Sequence, residues 1–221
     1  MTTHSPSIGE QVQTYMTGPA AALPPEVMGA FAAAQVDLGA AGVLAAVSAP
    51  GAVMPDGELL DVHGATTSLA LVRGGRPAVV VFYRGAWCPF CNIALRTYQA
   101  ELAPALADRG VAMIAVSPQK PDGSLTVAET NELSYAVVSD PGNQIASALG
   151  ILTEPSANAL AAQEKVGLDL AEQNADGGRT LPMPTTVVVD HTGVIRWIDV
   201  HPNYTTRSEV PDILAAVDAL S

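Results

Sequence analysis

The chain carries two cysteines, Cys88 and Cys91, in the order Cys-Pro-Phe-Cys. Sulfurs at this spacing have three uses. They react as thiolates, they supply half of a metal site, or they pack as small apolar side chains. Their position favours the first. "AVVVFY" (78–83) is a continuous β-branched and aromatic run, as expected of a strand buried on both faces. Residues 89–108 follow with Ile93, Leu95, Tyr98, Leu102 and Leu106 at helical intervals. Cys88 therefore falls where a strand gives way to a helix. The first amides of a helix lack intrahelical partners and its dipole favours negative charge, so a sulfur there is expected to ionise more readily than a free thiol. Pro89 suits the first helical turn, which does not need its missing N–H. Cys91 lies one turn deeper, within disulfide reach. The arrangement predicts an attacking sulfur at Cys88 and a resolving sulfur at Cys91.

The other two uses are weaker. A structural zinc takes about four ligands, and His4, His63, His191 and His201 show no paired spacing to complete a set. Asn92 stands where covalent haem attachment requires a histidine. The predicted chemistry calls for no metal, flavin or haem. Two ordinary core cysteines remain the plain alternative.

Composition bounds the partners. Twenty-two Asp and Glu against ten Lys and Arg leave a net charge of −12, which argues against nucleic acid and against an anionic membrane surface. The first basic side chain is Arg73, so residues 1–72 lack the positive region of a secretory signal or transit peptide. The apolar stretch "GAAGVLAAVSAPGAVM" is broken by Pro50 and is too short to span a bilayer. The expected location is the cytoplasm, where a cysteine pair is reactive or metal-binding rather than a staple.

The elements that must position the pair can be read around it. "PPEVMGAFAAAQVDLGAAGVLAAV" opens with prolines suited to a first turn and predicts helix, split near Gly39 and Gly42. We assign 1–48 to an N-terminal helical extension and 49–221 to the main domain. "VAMIAVSP" (111–118) is a second buried strand, so strand, helix and strand imply a right-handed crossover with parallel pairing. Helices are expected over 124–133 and 143–149 around a strand at "YAVVSD", and a helix with a polar loop over 155–180. "TTVVVDHTGVIRWIDV" reads as a hairpin, and Ser208 as the N-cap of a closing amphipathic helix. The class is α/β, one domain around a mixed sheet.

"VVVFYRGAWCPFC" before a helix, with the later "LPMPTTVVVDHTGVIRWIDVHPNYTTR", resembles the peroxiredoxin-like branch of the alkyl hydroperoxide reductase/thiol-specific antioxidant (AhpC/TSA) family. The resemblance covers about residues 50–220 and implies a thioredoxin-like fold with a central mixed β-sheet flanked by helices. By position it makes Cys88 the peroxidatic cysteine and Cys91 its resolving partner. It matches Pro184 to a proline that is cis in such folds and faces the pair. A thiol peroxidase uses an arginine to stabilise thiolate and orient peroxide. Arg84, in the matched "FYRG", is the first choice and Arg179 the second. Trp87 is expected to shield the thiol or floor a substrate groove, and Thr185 to donate to a ligand. The bland alternatives are surface salt bridges for the arginines, packing for Trp87 and an ordinary strand-opening Pro184. Two positions depart from the usual P-x-x-x-T-x-x-C: Val81 and Gly85 stand where proline and threonine shape the peroxide pocket.

The expected activity is thus a thiol peroxidase acting on hydrogen peroxide or organic hydroperoxides, recycled by an external thiol, either a thioredoxin-like protein or a low-molecular-weight thiol. The missing threonine and the Cys-Pro-Phe-Cys order motivate an alternative, a thioredoxin- or glutaredoxin-like thiol–disulfide oxidoreductase. A redox-sensing interaction module, using the helical extension as its partner surface, is a third. The apolar extension is covered either by a second copy in a homodimer or by its own domain.

Overall fold

The protein, seen in a computed structural model, is described over residues 5–121 and 132–220. Most of the helix expected over 124–133 lies outside the described residues.

In chain order the strands are β1 (Leu59–Leu60), β2 (Thr66–Thr67), β3 (Ala78–Phe82), β4 (Ala112–Ser117), β5 (Ala136–Ser139), β6 (Leu152–Thr153), β7 (Leu181–Pro182), β8 (Thr185–Val189) and β9 (Ile195–Val200). Seven form one sheet in the order β2-β1-β5-β4-β3-β8-β9, and β6 pairs with β7 separately. β3, β4 and β5 run parallel, while β8 and β9 are antiparallel to their neighbours. The sheet is therefore mixed, with helices on both faces.

The continuous apolar runs follow from that double cover. Along β3, Val79 and Val81 point into one core with Tyr83, whereas Ala78, Val80 and Phe82 point into the other. The helices are α1 (Ile8–Thr17), α2 (Pro25–Ala40), α3 (Leu69–Arg73), α4 (Pro89–Thr97), α5 (Ala103–Asp108), α6 (Gln144–Ala148), α7 (Ala157–Lys165), α8 (Leu170–Gln173) and α9 (Val210–Asp218). A π-helical turn at Tyr98–Leu102 joins α4 to α5. Pro104, just beyond it, has no amide to continue the regular ladder.

The N-terminal helices are tied to the domain. Ser7 and Glu10 form a reciprocal capping box that starts α1. The Glu209 carboxylate accepts from the amides of Ile8 at 3.0 Å and Gly9 at 2.8 Å. Ile8 and Val12 thereby enter the core beside α4. α2 starts at Pro25, and Gly42, at φ +63°, separates it from the next short turn. It packs on α7. No described helix is long and apolar enough to cross a membrane.

One expected cap is corrected. Glu209, not Ser208, is the N-cap residue of α9, and it makes no side-chain capping bond there. Ser208 lies one residue ahead of the cap, and its hydroxyl donates to Asp199 at 2.7 Å.

Candidate active site

Beyond β3 the chain crosses the sheet end in a tight turn, with the Cys88 amide donating to the Gly85 carbonyl at 3.1 Å. Gly85 has φ +148°, and a Cβ there would collide with Trp87 Nε1 and approach Gln119 Oε1. The turn is braced by Gln119 Oε1, which accepts from Ala86 N, and by Asn92, which donates to the Ala86 carbonyl at 2.8 Å. Cys88 then occupies the N-cap of α4, with Pro89 in the first turn.

Both cysteines are free thiols, and both are buried. The helix amides do not serve the Cys88 sulfur, contrary to expectation. Cys91 N and Asn92 N donate instead to the Cys88 carbonyl, each at 3.1 Å, and the Cys88 side chain receives no capping bond. The charge that faces the sulfurs comes from Arg207. Its Nη2 lies 3.0 Å from Cys91 Sγ and 3.9 Å from Cys88 Sγ. Nη1 is anchored on the carbonyls of Tyr204 at 2.6 Å and Thr206 at 2.5 Å. Only 8% of Arg207 is exposed, so its charge is poorly screened.

The electrostatics of the pair follow from these distances. Burial pushes the Cys88 thiol well up, and its hydrogen bond and repulsion with Cys91 add to the rise. Burial would raise Cys91 too, but the bond from Cys88, the Arg207 charge and the Arg84 backbone N–H together hold it well below the ordinary range. Burial also opposes the charge on Arg207, and the two facing sulfurs more than offset it. The two thiols are thus shifted in opposite directions, and the lowered one, Cys91, is the one nearer the Arg207 guanidinium.

Cys88, though only 1% exposed, is the cysteine of the pair that borders a cleft. It lines a cleft of about 470 Å³ together with Arg84, Trp87, Phe90, Pro184 and Tyr204, whereas Cys91 lies behind it. The Arg84 guanidinium is held over the Tyr204 ring at 4.7 Å and the Trp87 ring at 5.1 Å, a cation–π seat at the thiol end.

Of the residues singled out from sequence, Arg84, Trp87, Cys88 and Pro184 meet at the cleft. Two do not. Thr185 is buried outside the wall, its hydroxyl donating to the Met183 carbonyl at 2.8 Å. Arg179 is exposed and outside the lining. The expected cis bond at Pro184 is also corrected, because no cis peptide occurs among the described residues. The Met183 amide donates to the Ile151 carbonyl and the Pro184 carbonyl accepts from His201 N, which leads the chain into β8 with the ordinary trans bond. Arg207 was not singled out. Its one sequence signal is its place at the end of the quoted "HPNYTTR".

The AhpC/TSA family model matches residues 50–198. Two Mycobacterium tuberculosis proteins, provisionally named peroxiredoxins, are each 30% identical over 105 residues, which is 48% of this chain and 66%, just under two thirds, of theirs. Among solved structures, the peroxidoxin BcpB from Mycobacterium tuberculosis superposes with a TM-score of 0.58 at 20% identity, covering 78% of this chain and 97% of that one. Reduced Prx3 from Vibrio vulnificus, in complex with hydrogen peroxide, gives 0.62 at 20% identity over 77% of this chain and 99% of its own. At these identities the structures speak for the fold, which is thioredoxin-like.

Proposed function

The chain belongs to the AhpC/TSA family, and from that premise we propose that it is a thiol-dependent peroxidase acting through Cys88. The observation that most supports this is the placement of Cys88 in the cleft wall, with Cys91 behind it against Arg207.

In the resting pair Cys91 carries the charge and Cys88 the proton. Passing that proton across the hydrogen bond between the sulfurs leaves Cys88 as the thiolate facing the cleft. Its lone pair attacks the terminal oxygen of R–O–O–H. The S–O bond forms as the O–O bond breaks, and the departing alkoxide (hydroxide, for hydrogen peroxide) takes the Cys91 proton. Cys88 is then a sulfenic acid and Cys91 a thiolate. Cys91 attacks the Cys88 sulfur, the S–S bond forms, and hydroxide leaves to take a solvent proton as water. The peroxide gains two electrons and the dithiol loses two. An external thiol system, a thioredoxin-like protein or a low-molecular-weight thiol in a reducing compartment, returns them by disulfide exchange. Arg207 contacts both sulfurs, so it accompanies the charge as it moves.

Gly85, standing where a peroxide-binding threonine would be, motivates a second reading in which Cys88 attacks a substrate disulfide instead of a peroxide. Rapid mixing of the reduced protein with hydrogen peroxide, followed by Trp fluorescence and by mass for a one-oxygen adduct on Cys88, separates the two. A fast adduct is expected. Reduction of insulin or a glutathione mixed disulfide with no peroxide consumption would replace the first reading by the second.

A further inference from the structure

The cleft ending at Cys88 is larger than hydrogen peroxide requires, and one wall comes from residues ahead of the family match. Its volume, about 470 Å³, falls within the roughly 300–1,000 Å³ of pockets that enclose organic ligands. Met28, Phe31 and Leu38 share the face of α2 turned to the cleft, half-buried rather than packed shut. The floor is aromatic: Tyr15 meets Phe90 edge-on at 5.5 Å, and Phe90 meets Tyr204 at 5.7 Å. Positive charge in the lining comes from Arg84 at the thiol end, while the exposed carboxylates of Asp37 and Glu154 also border it.

We infer that this wall is a subsite for the apolar body of a bulky, uncharged hydroperoxide, with α2 as the specificity-determining element; the inference rests on the peroxidase function proposed above. Burying a hydrocarbon body against Met28, Phe31 and Leu38 favours such a substrate, and hydrogen peroxide gains nothing there. A fatty-acid hydroperoxide has a comparable body but carries a carboxylate. Asp37, Glu154 and the chain's net charge of −12 oppose that charge. The chemistry is unchanged: the O–O bond breaks, oxygen passes to Cys88 and the apolar alcohol leaves with the proton from Cys91.

Rates of Cys88 oxidation are to be measured by rapid mixing with hydrogen peroxide, cumene hydroperoxide and linoleic acid hydroperoxide. The wild-type chain is compared with Phe31→Ser and Met28→Ser, two separate changes at half-buried positions of α2. Cumene hydroperoxide is expected to react roughly tenfold faster than either of the others, and each substitution to cut that advantage roughly tenfold. Equal rates in the wild type, an advantage untouched by both substitutions, or the fatty-acid hydroperoxide as the fastest would each overturn the inference. Binding of the product alcohol, 2-phenyl-2-propanol, separates the subsite from the reaction. It is followed by Trp87 emission in a Trp197→Phe background. A saturable change lost in Phe31→Ser upholds the subsite even if no peroxide oxidises Cys88. No saturable change overturns it even if peroxides are consumed.

Discussion

The Arg207 guanidinium lies 3.0 Å from Cys91 Sγ and 3.9 Å from Cys88 Sγ, so the positive charge is nearer the sulfur that faces away from the cleft. This ordering separates two roles that a single thiolate would combine. In the mechanism proposed above, Cys91 stores the charge and Cys88 presents the sulfur to substrate. The division works because one proton moving between two bonded sulfurs exchanges them.

Replacing Arg207 tests that division first. A hydrogen bond to a charged group contributes about 1.5–3 kcal/mol, so Arg207→Met is expected to raise the first thiol titration by roughly one to two pH units. The sign is fixed by the lowered Cys91 value. In the wild type the anion is present above that depressed value and is lost as pH falls through it. The variant should need a higher pH to react. Iodoacetamide alkylation against pH reads this directly, and an unchanged midpoint would remove Arg207 from the mechanism. Arg207→Lys should not restore it, because a shorter point charge cannot hold two carbonyls and a sulfur together.

Cys91→Ser separates attack from resolution. Peroxide should still convert Cys88 to a sulfenic acid, but the adduct should persist instead of closing to a disulfide, and turnover should stop after one cycle. Removing Cys91 also removes the neighbour that pushes Cys88 up. The lone Cys88 should therefore alkylate at lower pH than the second, harder proton of the wild-type pair. Intact mass with a dimedone trap, together with the alkylation curve, checks both. Sustained turnover in this variant would refute Cys91 as the resolving sulfur.

Much of this was legible before the fold was known, for identifiable reasons. Strands covered on both faces leave continuous apolar runs, so β3, β4 and β8 are visible in "AVVVF", "AMIAVS" and "TTVVV". The cysteine pair declares itself at the junction between β3 and α4. Arg207 does not, because a charge in a sequence carries no mark of being buried, and this one sits 116 residues from the sulfur it serves. The start of α9 is not legible because its N-cap position falls on Glu209, which makes no side-chain capping bond, beside a serine of the usual capping type. Contacts with Asp199 and with the start of α1, distant in sequence, decide how they are used.

Gly85 is expected to resist the substitution that would make this site look like its relatives. Restoring the usual threonine, Gly85→Thr, places a Cβ against Trp87 Nε1 and 3.0 Å from Gln119 Oε1, at a φ of +148° that L residues rarely adopt. A cost of about 2–3 kcal/mol follows, hence a Tm lower by roughly 5–10 °C. Peroxide reactivity should fall with it. Calorimetry beside the rapid-mixing assay tests the pair of outcomes. A variant as stable as the wild type and faster with peroxide would mean that the turn has room and that the missing threonine is a true deficit.

The loop bearing Arg207 has its own fastening, and acid should loosen it. Thr206 and Ser208, on either side of Arg207, are both held by one pair: Thr206 Oγ1 contacts His201 Nδ1 at 2.8 Å, and Ser208 Oγ donates to Asp199 Oδ2 at 2.7 Å. His201 Nε2 reaches the same Asp199 oxygen at 2.9 Å. The hydrogen bond from His201, with that from Ser208, holds the Asp199 carboxyl below its ordinary value despite opposing desolvation. A carboxyl lowered on folding adds stability that is present above its unfolded value, about 3.9, and is lost as pH falls through the folded one. Asp199→Asn should therefore cost about 0.5–1 kcal/mol at pH 5, a figure kept small because the side chain is 36% exposed. Below about pH 4 the difference from wild type should shrink toward zero. Urea unfolding of both proteins across pH 3–6 measures it, and alkylation of Cys88 and Cys91 at neutral pH reports whether Arg207 has shifted. A gap that stays constant into acid, or thiols that titrate as in the wild type, would show that Asp199 does not position the arginine.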